Sequence, residues 1–252
     1  MTDGAYRCVA HAAVGLFRAV DLRIDITGQE HVPPSGGAVV VINHTGYLDF
    51  ALAALPFWRG CGRLVRFMAK QEVFAHRVMG PLMRAMHHIP VDRLAGAGAF
   101  RLSVEALRAG ELVGVFPEAT ISRSFCLKEF KSGATRMARS AGVPVIPVTL
   151  WGSQRVWTKD RKPTIRAARH IPISITVGAP LQLGRGPAAD TALVEVMNRL
   201  LDVTRARYPE APGDDPWWVP AHLGGTAPTP ERAAELDAQE QLVRAQRREA
   251  QG

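Results

Sequence analysis

Ala38-Val39-Val40-Val41-Ile42-Asn43-His44-Thr45-Gly46-Tyr47-Leu48-Asp49 decides the fold. The first five residues are apolar and mostly β-branched, with no polar alternation, which is the pattern of a strand covered on both faces. Such strands belong to parallel sheets flanked by helices, and ligands bind just past their carboxyl ends. This strand runs directly into His44, and Asp49 follows five residues later. On one unbroken helix, five residues turn about 500°, leaving the two side chains about 140° apart. They meet only if the chain turns between them, and Gly46 offers a turn. An Asp accepting the Nδ1–H of such a His fixes its tautomer and leaves Nε2 as a general base. The plainer alternative is a His bonded to backbone beside an Asp that caps a helix.

Outward from this stretch, apolar patterning predicts strands at 22–26, 64–69, 89–91, 112–116, 145–150 and 171–177. Helical spacing covers 5–20, 48–55, 74–86, 99–108, 132–141 and 188–207. This alternation predicts a single α/β domain over 22–208, with a largely parallel central sheet flanked by helices. Residues 1–21 form an N-terminal amphipathic helix, either packed on the domain or lying on a membrane with Leu16 and Phe17 as apolar contacts. It is too short and too interrupted by His11 and Arg18 to span a bilayer. Residues 209–252 form an extension that is Pro-rich up to Pro230. Trp217-Trp218 is its expected anchor, and a polar helix or tail ends it.

The 252 residues carry 31 Lys and Arg against 23 Asp and Glu, a net charge of +8. From Arg205 onward there are six basic and eight acidic residues, so the basic excess lies in the body. An anionic partner follows: a phosphorylated substrate, anionic lipid or nucleic acid. Basic segments with few interleaved aromatics speak against single-stranded nucleic acid. Cys8, Cys61 and Cys126 are widely spaced and fit a reducing compartment better than a disulfide framework or a zinc site. No secretory signal is read at the N-terminus, and there is no P-loop, HExxH or GxSxG pattern.

A second buried run, Val113-Gly114-Val115-Phe116, is followed at once by Pro117-Glu118-Ala119-Thr120. Glu118 is therefore expected at the same sheet edge as His44. Together these features resemble the glycerophospholipid acyltransferase family, typified by 1-acylglycerol-3-phosphate acyltransferases. Asn43, His44 and Asp49 match its Asn-His-x4-Asp motif. Ala69-Lys70-Gln71-Glu72 and the later Asp92-Arg93 match the second motif, and Phe116 to Ser122 matches Phe-Pro-Glu-Gly-Thr-Arg-Ser. Val143-Pro144-Val145-Ile146-Pro147-Val148 matches the fourth. The resemblance covers about 22–178. Two positions depart from it: Ala119 stands for the Gly, and Ile121 for an Arg that the family uses on the acceptor phosphate.

The resemblance implies acyl transfer from acyl-CoA or acyl carrier protein to a hydroxyl of a phosphorylated glycerolipid, with no cofactor or metal. Lysophosphatidate giving phosphatidate is the leading expectation. Another acceptor, or a non-catalytic lipid-binding protein, is the alternative. His44 would be the base and Asp49 its orienting carboxylate. Asn43, Lys70, Arg93, Glu118, Thr120 and Arg123 are the candidate substrate-binding residues; Lys70, Arg93 and Arg123 are the cations for a phosphate, and Glu118 would hold an acceptor hydroxyl or one of these cations. A peripheral position on an anionic membrane at the cytoplasmic face, and no nucleic-acid partner, complete the expectation.

Overall fold

A computed structural model of the chain describes residues 3–92, 96–163 and 169–249. Seven strands among them form one sheet: β1 (Arg23–Thr27), β2 (Ala38–Ile42), β3 (Val65–Lys70), β4 (Ile89–Val91), β5 (Leu112–Val115), β6 (Val145–Trp151) and β7 (Pro172–Val177). Their order is β1-β7-β6-β2-β5-β3-β4, and every neighbouring pair is parallel except β6 with β7. The fully buried β2 lies near the middle, as its continuous apolar run requires.

The helices cover both faces. Ala38, Val40 and Ile42 pack with α1 (Gly4–Ala19) and α2 (Asp49–Cys61). Val39 and Val41 pack with α5 (Gly96–Arg108), α6 (Gly133–Ala141) and α8 (Pro187–Ala206). The chain therefore leaves β2 toward one face and the adjacent β5 toward the other. Such a divergence opens a crevice at the carboxyl ends of the two strands, where α/β sheets bind ligands.

Three local expectations are corrected. Helix α2 runs through Pro56 to Cys61 rather than ending near residue 55, because Pro56 and Phe57 are themselves buried on its packed face. The helical stretch at 74–86 is two helices, α3 (Gln71–Ala75) and α4 (Met79–Ala85). The break is at His76, whose Nδ1 accepts the N–H groups of Val78 and Met79. In α1, Phe17 is only 3% exposed and belongs to the main core, whereas Leu16 is 60% exposed. Phe17 cannot contact a membrane from that position. Tyr6 fastens the other end of α1 by donating its hydroxyl to the Val65 carbonyl at 2.7 Å.

The extension folds back on the body. Trp218, Val219 and Ala227 pack with Phe125, Trp151 and Leu201. Arg155 and Arg161 lie over the rings of Trp218 and Trp217. The short α7 (Ser153–Val156) follows β6, and α9 (Pro230–Glu249) ends the described chain. Among the described residues, no helix is long and apolar enough to cross a membrane.

Candidate active site

His44 stands in the crevice, two residues past Ile42, the last residue of β2. Its Nδ1–H donates to Asp49 Oδ2 at 3.0 Å, since an ionised carboxylate can only accept. The same oxygen accepts the N–H groups of Thr45 and Gly46, each at 2.7 Å. Asp49 is 0% exposed at the first turn of α2, so a tight loop carries the chain from strand to helix around its carboxylate. Its Oδ1 is buried with no hydrogen-bond partner. The His44 ring is 20% exposed and stacks on Phe116 with centroids 4.1 Å apart. Among the described residues its Nε2 has no partner, which leaves that nitrogen to a substrate.

Gly46 has an ordinary backbone conformation, so the turn does not depend on left-handed freedom. A Cβ there would meet the carbonyl oxygens of Trp157 at 2.9 Å and Ser153 at 3.0 Å. Glycine is needed for that close approach. On this side the loop is also held by Tyr47 N–H to the Trp157 carbonyl at 3.0 Å and the Thr158 hydroxyl to the Thr45 carbonyl at 2.6 Å.

The segment after β5 holds the other side. Glu118 Oε1 accepts the His44 N–H at 2.8 Å, and its Oε2 accepts the Lys128 N–H at 3.1 Å. Ser122 donates its N–H to the His44 carbonyl at 2.8 Å. Burial pushes the Glu118 carboxyl up to about 8, against the lowering effect of the His44 and Lys128 hydrogen bonds. Glu118 does stand at the edge that holds His44, but it is buried and engaged with backbone. Its two oxygens are taken up by the main-chain N–H groups of His44 and Lys128.

Asn43 is corrected in the same way. Its amide is fully buried, donating to the Leu150 carbonyl at 3.0 Å and accepting the Leu150 N–H at 2.7 Å. It prolongs the β2–β6 ladder by one side chain where the main chain turns away, and no substrate can touch it. Arg123 is also engaged, held by Asp160, Asp237 and Glu240, so in this arrangement it does not meet a phosphate. Ile121 is buried, leaving no charged side chain at that motif position. Ala119 takes up a left-handed conformation with φ of 60°, where a glycine is the unstrained choice. Thr120 is half-buried beside it. Lys70 ends β3 at the same sheet edge as His44. Arg93 lies outside the described residues. His88 accepts the Phe67 N–H at 3.0 Å and is a structural residue.

Sequence reasoning assigned no role to Phe116, Ser122, Ser153 or Thr158. The first two lie inside the quoted third motif and could have been singled out there. Ser153 and Thr158 carry no local signal.

Comparison with known proteins decides the family. The acyltransferase family model matches residues 23–151, just over half of the chain. The chain belongs to the acyltransferase family. His44, Asp49 and Glu118 all fall within the span that this acyltransferase match covers. A chloroplastic 1-acyl-sn-glycerol-3-phosphate acyltransferase of Brassica napus is 29% identical over 185 residues, covering 71% of this chain and 50% of that protein. The 1-acyl-sn-glycerol-3-phosphate acyltransferase of Bacillus subtilis is 28% identical over 133 residues, covering 51% of this chain and 63% of that protein. The chain thus spans about half the length of the first of these relatives and under two thirds of the second. In fold it is similar to the crystal structure of the 1-acyl-sn-glycerophosphate acyltransferase PlsC from Thermotoga maritima. That likeness has a TM-score of 0.66 at 23% identity and covers 81% of each chain.

Proposed function

We propose that this chain transfers a fatty acyl group from an acyl thioester to the free hydroxyl of 1-acyl-sn-glycerol 3-phosphate, giving phosphatidate. The observation that carries the reading is the His44–Asp49 pair, buried at its base, with Nε2 open at the carboxyl ends of β2 and β5. His44 Nε2 takes the proton of the acceptor hydroxyl as that oxygen attacks the thioester carbonyl. Asp49 stabilises the imidazolium that forms. The tetrahedral adduct then expels the thiolate, which takes the proton back from Nε2. The donor is acyl-CoA or acyl carrier protein, and no cofactor or metal takes part. The names of the Brassica and Bacillus relatives support lysophosphatidate as acceptor. Lys70 at the β3 end is the first candidate for its phosphate, and Arg93, from the same sequence motif, is the second.

The reading includes peripheral attachment to an anionic membrane on its cytoplasmic side, because the acyl chain of a lysophosphatidate acceptor partitions into a bilayer. The net positive body supports it, as do the exposed aromatic rings of Tyr47, Phe50 and Trp157 near the His44 loop. The test is purified protein with acyl-CoA or acyl carrier protein and a panel of glycerol 3-phosphate, lysophosphatidate and lysophospholipids, read by product mass. Phosphatidate formed only from lysophosphatidate is the expected result. A folded chain that acylates no member of the panel contradicts the reading.

A further inference from the structure

Helix α6 starts beside the His44 crevice. Lys131, just ahead of it, donates its N–H at 3.0 Å to the carbonyl of Pro117, the neighbour of Glu118. Arg136 and Arg139 lie about 5 and 9 Å along the helix axis from Gly133, and both are exposed. Arg136 extends over the Phe100 ring of α5, 5.3 Å from its centroid. Arg108 at the end of α5 donates to the Ser140 carbonyl of α6 at 2.7 Å. The two helices thus share one surface. Beside it Arg136 and Arg139 line a cavity of about 280 Å³ with Gly184, Gly186 and Asp190, and the exposed Arg185 stands in that wall.

The charge of this face is not neutralised by its own acids. Glu105 faces Arg101 at 3.9 Å, and Asp190 accepts the Thr135 hydroxyl. Among the described residues, Arg108, Arg136, Arg139 and Arg185 make no ion pair.

An anionic lipid surface and an acidic protein both suit such charge, and the apolar content of the face separates them. A lipid contact pairs cations with apolar side chains that enter the acyl region. The exposed rings of Tyr47 and Phe50 stand with α2, which covers the other face of the sheet. Among the described residues, exposed large apolar side chains on α5 and α6 are limited to Leu102. A cation-rich, polar surface of packed helices matches an acidic protein surface, which it attracts and orients by charge.

We propose that the α5–α6 face, through Arg108, Arg136, Arg139 and Arg185, docks an acidic acyl carrier protein, whose flexible arm delivers the acyl thioester to His44. A donor that holds its thioester on an arm needs a docking surface beside the crevice, not within it. The proposal rests on the acyl-transfer reading and selects between the two donors that reading leaves open. The apolar mouth then meets lipid while the basic face takes the carrier.

Binding tests the face without turnover, so absent acyl transfer by the wild-type chain bears on the proposed function alone. Fluorescently labelled holo-acyl carrier protein is titrated with wild type, with Arg136→Glu plus Arg139→Glu, and with Arg18→Glu plus Arg59→Glu. The last makes the same charge change on α1 and α2, across the sheet. The α6 pair should weaken binding about 10-fold or more, because like charges replace complementary ones, and the α1–α2 pair much less. Wild-type binding should fall with added salt. In turnover, the α6 pair should raise the KM for the carrier thioester and leave the KM for acyl-CoA unchanged. No binding by wild type, an equal loss in both double variants, or an equal rise in KM for acyl-CoA overturns the proposal. So does carrier binding that survives in the α6 pair while sedimentation with phosphatidylglycerol vesicles is lost, which assigns the face to lipid. Should the α6 pair lose its cooperative unfolding transition, Arg136→Gln plus Arg139→Gln carries the same comparison with a smaller loss, and the same outcomes decide.

Discussion

Glu118 Oε1 accepts the backbone N–H of His44 at 2.8 Å, while four residues further on Ser122 donates its N–H to the His44 carbonyl at 2.8 Å. One loop thus holds both backbone groups of His44, and Phe116 of the same loop supports its ring. Asp49 fixes the imidazole from the opposite side. Under the proposed mechanism His44 Nε2 is placed before substrate arrives, which is where the advantage of an oriented base would originate.

Glu118→Gln removes this support without changing size. A glutamine keeps one acceptor and sets its NH2 against the N–H of either His44 or Lys128. Leaving a buried donor unpaired costs about 1–3 kcal/mol. Urea melts should show that loss. Initial rates should show kcat lowered about 10-fold or more with the donor KM little changed, because displacing an oriented base slows the reaction. Unchanged kcat in this variant would detach Glu118 from the placement of the base.

Two buried groups contribute to the pH dependence of stability, with opposite signs. Burial raises Glu118 from 4.5 to about 8, so the folded chain binds this proton more tightly. Its contribution is complete below about pH 4.5 and is lost as pH rises through about 8. Burial, with Arg66 and His87 nearby, lowers His88 from 6.5 to about 4. Its contribution is complete above 6.5 and is lost as pH falls through about 4. Denaturant melts across pH 4 to 9 should give maximal stability between these limits. His88→Gln should flatten the acid limb and Glu118→Gln the alkaline limb; unaltered limbs would assign the slopes to other groups.

Asn43→Ala leaves the N–H and C=O of Leu150 buried without partners. The cost is about 2–4 kcal/mol, two lost hydrogen bonds at a buried site. A shift of the urea midpoint at constant m-value measures it. A variant as stable as wild type would mean that water replaces the amide, against the complete burial seen at this residue.

How far the sequence reveals this arrangement depends on range. The buried runs 38–42 and 112–115 are legible because strands covered on both faces need uninterrupted apolar residues, and each ends where a site residue begins. The sheet order, with antiparallel β6 and β7 next to each other, is set by packing between distant segments and leaves no local pattern. Asn43 meets Leu150 across 107 residues, and Arg123 meets Asp237 across 114. Both therefore look like open polar candidates in the sequence and prove to be engaged in the fold. Asp49 was legible because its partners lie within five residues.

The N-terminal helix separates packing from surface contact within two neighbouring residues. Phe17→Asp places a charge in the main core and should unfold the chain or cost more than about 3 kcal/mol. Leu16→Asp should change stability by less than about 0.5 kcal/mol. Sedimentation with anionic vesicles then reads the surface role: reduced binding of Leu16→Asp places this face on the lipid, and equal binding places the lipid contact elsewhere.

The most direct measurement is the turnover of purified His44→Ala with acyl-CoA and lysophosphatidate, beside wild type, after matched urea melts show that both are folded. His44 is part-exposed and its backbone bonds to Glu118 and Ser122 do not need the ring, so the fold should survive. With the general base gone, kcat should fall by at least about 10² to 10⁴. Wild-type turnover in the folded His44→Ala chain would contradict the assignment of His44 as the base.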